Sequence, residues 1–169
     1  MKKLLMVLLL VSIVMGTAFA QEGWGIGGVG TFGGNFNNSA EPYAGGYVTL
    51  KAPQSPIYWG ISLRTIGNTL ILGLQGDSYL IQNTLVPDVG LGLYVGVGLY
   101  GTIILNDPLG LGFGARVPIG LSLRIPSLEI LEFFLEIAPT AGLGMVLGND
   151  IDFDFDAGWI GGLGFRVWF

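Results

Sequence analysis

The sequence predicts an all-β fold: a closed, antiparallel, up-and-down transmembrane β-barrel of eight strands. Three observations predict it. The chain is 51% hydrophobic and only 11% charged, with mean hydropathy +0.66, yet after residue 20 no apolar run reaches the roughly 18 residues that a spanning helix needs. Its apolar residues alternate with a period of two, as in strands with two unlike faces. Charge never falls on the parity that carries the large aliphatics. Backbone polar groups in hydrocarbon must be paired within the protein, so a strand-built span has to close on itself.

The first twenty residues, MKKLLMVLLLVSIVMGTAFA, place Lys2 and Lys3 before an apolar run from Leu4 to Met15 and end in Ala18-Phe19-Ala20. This is the pattern of a secretory signal peptide, 1–20, with cleavage expected after Ala20 and the barrel domain over 21–169. Seven Lys and Arg face twelve Asp and Glu; without Lys2 and Lys3 the balance is five against twelve, a net charge of −7. An acidic chain is a poor partner for nucleic acid. With no cysteine there is no disulfide and no thiol nucleophile.

Clusters of turn residues divide the remainder into eight extended segments. The first, about Trp24 to Phe36, ends at Asn37-Asn38-Ser39-Ala40-Glu41-Pro42, and the second, Tyr43 to Lys51, at Ala52-Pro53-Gln54-Ser55-Pro56. Glycines on both parities leave the phase of these two open. The third, Ile57 to Thr65, sets Ile57, Trp59, Ile61 and Leu63 against Tyr58, Gly60, Ser62 and Arg64, and turns at Ile66–Thr69 into the fourth, Leu70 to about Leu80. The fifth is the stretch DVGLGLYVGVGLYG from Asp88, with valines and leucines on one parity and glycines and tyrosines on the other.

Asn106-Asp107-Pro108 precedes the sixth, Leu111 to Ile125, whose second parity carries Arg116 and Arg124; Pro126-Ser127 then turns into the seventh, Ile130 to Ala141, with Glu132 and Glu136. Pro118 and Pro139 fall inside these segments, where each removes a ladder donor, and mark a bulge or a strand end. A longer acidic link leads to the eighth, Ala157 to Phe169, with Arg166 on its polar parity. An even strand number puts both chain ends on one side of the membrane, and loops near 37–42, 66–69, 102–109 and 142–156 on the other.

A cation on the lipid-facing mid-plane of such a barrel costs roughly 2–4 kcal/mol, so the polar parities look inward. Eight strands leave a lumen that side chains fill, and long residues at one level need glycine at others. The expected structural lumen charges are Arg64, Asp77, Arg116, Arg124, Glu132, Glu136 and Arg166, paired as ion pairs because an unpaired buried charge is costly. Arg124 and Glu132 flank the Pro126 turn as the first pair to test.

The chain closes on GLGFRVWF, in which Leu163, Phe165, Val167 and Phe169 share one parity. This resembles the C-terminal strand signal of bacterial outer-membrane barrels, which implies recognition by the barrel-assembly machinery; Val167 stands where many members carry an aromatic. As a whole the chain resembles small eight-stranded outer-membrane proteins of the OmpA-transmembrane-domain and OmpX type, and the stretches GARVPIGLSLRI and FFLEIAPT are similar to small spirochaete barrels. The resemblance implies a bacterial outer-membrane location, outer-membrane lipid as partner, and a structural envelope role. The alternative is an adhesin or host-factor receptor acting through its extracellular loops.

Two stretches, from Gly23 and from Gly96, fit G-x-G-x-x-G, but no helix pattern follows either, so no phosphate cradle forms. In GNDIDFDFDAG the carboxylates Asp150, Asp152, Asp154 and Asp156 share a parity. They are weak candidates for a hard cation, lacking the glycine and the terminal glutamate of an EF-hand loop, and a solvated hairpin extension is the plainer reading. No cofactor is expected. Barrel enzymes of this size that act on lipid A use a histidine, and this chain has none, so it is not expected to be an enzyme.

Overall fold

The computed structural model describes residues 23–36, 42–148 and 151–169. The expected signal peptide, the 37–41 part of the first turn and Asp150 lie outside the described residues.

Nine strands follow in order: β1 (Gly25–Asn35), β2 (Tyr43–Lys51), β3 (Ile57–Ile66), β4 (Thr69–Val86), β5 (Leu91–Leu105), β6 (Leu109–Arg116), β7 (Ile119–Arg124), β8 (Leu131–Leu147) and β9 (Ile151–Trp168). Each pairs antiparallel with its neighbours, β6 and β7 both lie between β5 and β8, and β9 pairs back on β1. The result is a closed ring of eight staves, one of them in two pieces. The first and last strands meet at the seam, where Trp24 and Phe169 exchange backbone hydrogen bonds of 2.8 and 2.9 Å.

Register fixes the shape of the ring. Stepping across the ladders from Gly25 through Lys51, Tyr58, Asp77, Gly98, Arg116, Thr140 and Gly158 returns to β1 at Asn35, ten residues from the start. A shear of ten over eight staves gives strands tilted about 40° and a backbone radius of about 8 Å. Such a lumen admits side chains from all eight staves only if many are small.

The break between β6 and β7 is made by proline. Val117 N–H donates to Pro139 O (3.0 Å) and Gly96 N–H to Pro118 O (2.8 Å), but neither proline can return a bond. Arg116 faces Thr140 and Ile119 faces Ile137, so the same number of residues runs on each side of the gap. Of the two expectations for the prolines, a bulge or a strand end, the register runs unbroken past both without a bulge, Pro118 falls at the strand end between β6 and β7, and Pro139 lies inside β8. The register shifts that do occur lie in β4, around Leu80 and Leu85.

Other bounds move outward from the sequence reading. β4 runs on to Val86, and β8 and β9 stay paired to Leu147 and Ile151. The acidic link after Ala141 is thus mostly hairpin, rising past the last β1–β9 pair, Asn35 with Gly158. The phases of β1 and β2 are settled as well: Val29, Thr31, Tyr43, Tyr47, Thr49 and Lys51 are buried inside, while Ile26, Phe32, Val48 and Leu50 are exposed.

The barrel is inverted relative to a water-soluble domain. Its outer wall carries exposed aliphatics and aromatics all the way round, among them Ile61 (70%), Leu99 (71%) and Leu163 (64%), whereas Arg116 and Arg166 are each 1% exposed. The ring closes only if β1 and β9 approach without side chains between them. A Cβ on Gly27 would strike the Phe165 carbonyl, whereas one on Gly30 would meet only Leu163 O at 3.9 Å. Gly27→Ala is expected to lower stability by about 2 kcal/mol through overpacking, and Gly30→Ala to leave the urea midpoint in place.

Candidate functional site

The filled lumen is the candidate site, and it is built from the second residue of each strand step. Parity on β4, β6 and β8 brings Asp77, Arg116 and Glu136 to one level. Arg116 Nε lies 3.4 Å from Asp77 Oδ1, its Nη2 is paired with Glu136 Oε1, and Tyr94 donates to Glu136 Oε2 at 3.0 Å. Two carboxylates share one guanidinium, and all three side chains are nearly inaccessible.

A second cluster sits nearer the chain ends. Arg166 reaches Glu132 Oε1 at 3.3 Å and donates to Tyr79 OH at 3.1 Å and Thr49 Oγ1 at 3.5 Å, while Trp168 Nε1 donates to Glu132 Oε2 at 2.8 Å. Phe134 and Tyr58 cover the Arg166 guanidinium at 4.2 and 4.7 Å. These contacts combine charge neutralisation with cation–π attraction where water is excluded.

Arg124 and Glu132 are direct cross-strand partners in the β7–β8 register, as their spacing around the turn suggests. The ion pair of Glu132, however, is to Arg166, and the Arg124 guanidinium lies over the Trp168 ring at 4.8 Å. Arg64 stands apart from both clusters, over Tyr43 at 5.5 Å, at the end of the barrel opposite the termini.

Tyr58, Tyr79 and Tyr94 stack with ring centroids 4.2 and 4.3 Å apart and link the two clusters, Tyr94 donating to Glu136 and Tyr79 accepting from Arg166. Of this column the sequence already placed Tyr58 and Tyr94 inward, whereas Tyr79, Lys51 at the terminal end and Trp168 are lumen residues that sequence reasoning missed. Tyr58 and Tyr94 had the right parity, and Trp168 shares that of Arg166. Lys51 was hidden by the uncertain phase of β2.

Two cavities flank the plug. One of about 400 Å³ at the terminal end is lined by residues including Tyr58, Tyr94, Arg124 and Glu132; the other, about 330 Å³ at the far end, by residues including Tyr43, Arg64, Tyr100, Asp154 and Asp156. The charged and aromatic layers of the plug lie between them. Asp154 and Asp156, on one parity of β9, line this cavity together with Arg64. Among the described residues no group of three or more His, Cys, Asp or Glu is placed to hold a metal ion; Asp150 and the side chain of Asp152 lie outside that set.

At the seam, Leu163 pairs with Leu135 and Gly30, and Phe165 with Phe133 and Gly28. Leu163, Phe165 and Phe169 are exposed on the outer wall, with Val167 on the same parity.

Among solved structures, the chain is similar to the N-terminal β-barrel domain of Pseudomonas aeruginosa OprF, with 20% identity over 86% of this chain and 97% of that one, and a TM-score of 0.41. No family model and no curated protein matches the chain.

Proposed function

We propose that the protein is a small integral barrel of the bacterial outer membrane, with both chain ends on the periplasmic side and a structural role in the envelope. One observation carries the reading: the closed ring turns its large apolar side chains outward on every stave and its arginines and glutamates inward. Water on that outer wall would leave an exposed apolar surface far larger than soluble monomers display; hydrocarbon about 25 Å thick matches it. In this reading the segment 1–20 directs export and is removed near Ala20. The parity of Leu163, Phe165, Val167 and Phe169 is what the barrel-assembly machinery reads, and outer-membrane lipid is the standing partner.

A barrel of this kind, refolded into phospholipid vesicles, is expected to give β-type circular dichroism and to migrate differently on gels before and after boiling. Planar bilayers containing it are expected to show no conductance steps, since the Arg116 and Arg166 clusters fill the lumen. A polypeptide that stays monomeric in buffer without detergent would overturn the membrane reading. Stable conductance steps would overturn the filled lumen.

A second reading, surface attachment to a host factor, is favoured by the β8–β9 hairpin, which rises beyond its neighbours and exposes Phe153 (67%) and Phe155 (57%). Replacing 149–156 by a two-residue turn separates the two. Loss of attachment by cells whose barrel still inserts supports the surface role, and unchanged attachment supports the envelope role alone.

A further inference from the structure

The two ends of the lumen treat charge differently. In the plug each guanidinium is joined directly to a carboxylate, Arg116 to Asp77 and Glu136, and Arg166 to Glu132. At the end opposite the termini, Arg64, Asp154 and Asp156 line one cavity of about 330 Å³, yet none of the described carboxylates is within ion-pairing distance of Arg64. The Arg64 guanidinium lies over the Tyr43 ring at 5.5 Å, and Tyr43 is fixed by donating to Trp159 O at 2.9 Å. Asp156 comes from β9, with β1 and β2 between it and the β3 stave that carries Arg64. Arg64 still acts on its charge across the gap.

The residues between the charges supply room and an apolar wall. Asp154, Gly144, Gly112 and Thr102 are successive partners across β9, β8, β6 and β5, so the two middle positions of that row bring no side chain into the lumen. On the other side Arg64, Ile71 and Ile104 are partners across β3, β4 and β5, and Ile160 of β9 lines the same space. Inward isoleucines beside separated charges of both signs have the make-up of a small-molecule pocket, an apolar lining with a few placed polar groups. Asp154 is exposed, and Arg64 and Asp156 are half-buried, so the cavity is reached from that end.

We propose that this cavity binds a zwitterion with an aliphatic body, the chemistry shared by an apolar amino acid and a short apolar peptide. Its carboxylate lies on Arg64, its ammonium on Asp156, and its body against Ile71, Ile104 and Ile160. A guanidinium gives a carboxylate two parallel hydrogen bonds, and an ammonium donates to a carboxylate. An anion alone would leave Asp156 unmatched, and a cation alone would leave Arg64. The volume is at the lower end of the roughly 300–1,000 Å³ of ligand pockets, which suits one or two residues rather than a longer chain. The inference goes beyond the envelope role and needs the closed ring, not the membrane reading.

The test is calorimetric titration of the barrel, folded in detergent micelles, with leucine and with leucyl-leucine. Saturable binding of at least one is expected, leucine marking a free amino acid and leucyl-leucine alone a peptide. Isoamylamine and isocaproate, which keep the body and one charge each, are expected to bind about ten- to a hundredfold more weakly, the worth of a charge-assisted hydrogen bond. Arg64→Gln is expected to weaken the zwitterions by the same factor and to spare isoamylamine, and Asp156→Asn to weaken both. Gly144→Leu is expected to abolish binding by filling the cavity, where a Cβ on Gly144 meets only Asp154 O at 3.8 Å. Isoamylamine binding as tightly as the zwitterions would overturn the proposal. So would equal binding by wild type and Gly144→Leu, both folded by gel mobility, or no binding of either zwitterion to the wild type. A barrel that titrates as expected but stays monomeric without detergent would leave this site standing and remove the membrane reading.

Discussion

Replacing Arg116 by methionine is expected to lower the unfolding free energy by about 4 kcal/mol, at the upper end of what a single core change does. The guanidinium is the cation that Asp77 and Glu136 share, with Nε 3.4 Å from one and Nη2 paired with the other. Methionine keeps much of the volume but leaves two carboxylates facing each other in a lumen that water does not reach. The loss therefore comes less from the missing attraction than from the charges left behind. That is why the compensated variant is informative: adding Asp77→Asn and Glu136→Gln to Arg116→Met should restore most of the stability. Equilibrium unfolding in urea of the vesicle-folded protein measures both. A loss below about 1 kcal/mol would be the size of an exposed ion pair and would place Arg116 outside a dry plug.

Leu99→Arg is expected to cost about 3 kcal/mol in the same assay, because it puts a cation at the middle of the hydrocarbon belt. Leu99 is central in β5 and is among the most exposed side chains of the wall, at 71%. Phe153 is nearly as exposed, at 67%, but lies on the part of β9 that rises past β1. Phe153→Arg should cost less than about 1 kcal/mol, as at an interface. Exposure alone would give the two substitutions equal weight; depth in a bilayer separates them. Equal penalties would remove the belt from the account.

The barrel was legible in the sequence wherever bulky aliphatics alternate with small or charged residues. In β3, β5, β7 and the lower part of β9, a single parity holds nearly all the leucine, isoleucine and valine, and hydrocarbon outside and charge inside follow together. β1 and β2 were not legible because glycines stand side by side, at Gly27 and Gly28, Gly33 and Gly34, Gly45 and Gly46, and erase the contrast between faces. The upper part of β9 was legible as a solvated hairpin extension from its alternating parities, but not its length, because aspartates mark a strand above the membrane and a loop alike.

For the lumen, parity identified the charged residues but not their partners. Arg124 with Glu132 is a neighbour pair that a tight turn suggests, and the register does place them side by side. Arg116 with Asp77 joins β6 to β4 across an intervening strand. Such a contact depends on the shear of the closed ring, a quantity that no single strand carries. The tyrosine column likewise takes one ring from each of β3, β4 and β5, a contact set that no single strand carries.

The unequal heights of the staves have one more consequence. From Ala157 to Ile151, β9 climbs beyond the last residue it shares with β1, carrying β8 beside it, so the β8–β9 pair stands about 15 Å above the end of β1 at Asn35. A molecule approaching that end of the barrel from the β8–β9 side would meet the exposed rings of Phe153 and Phe155 first.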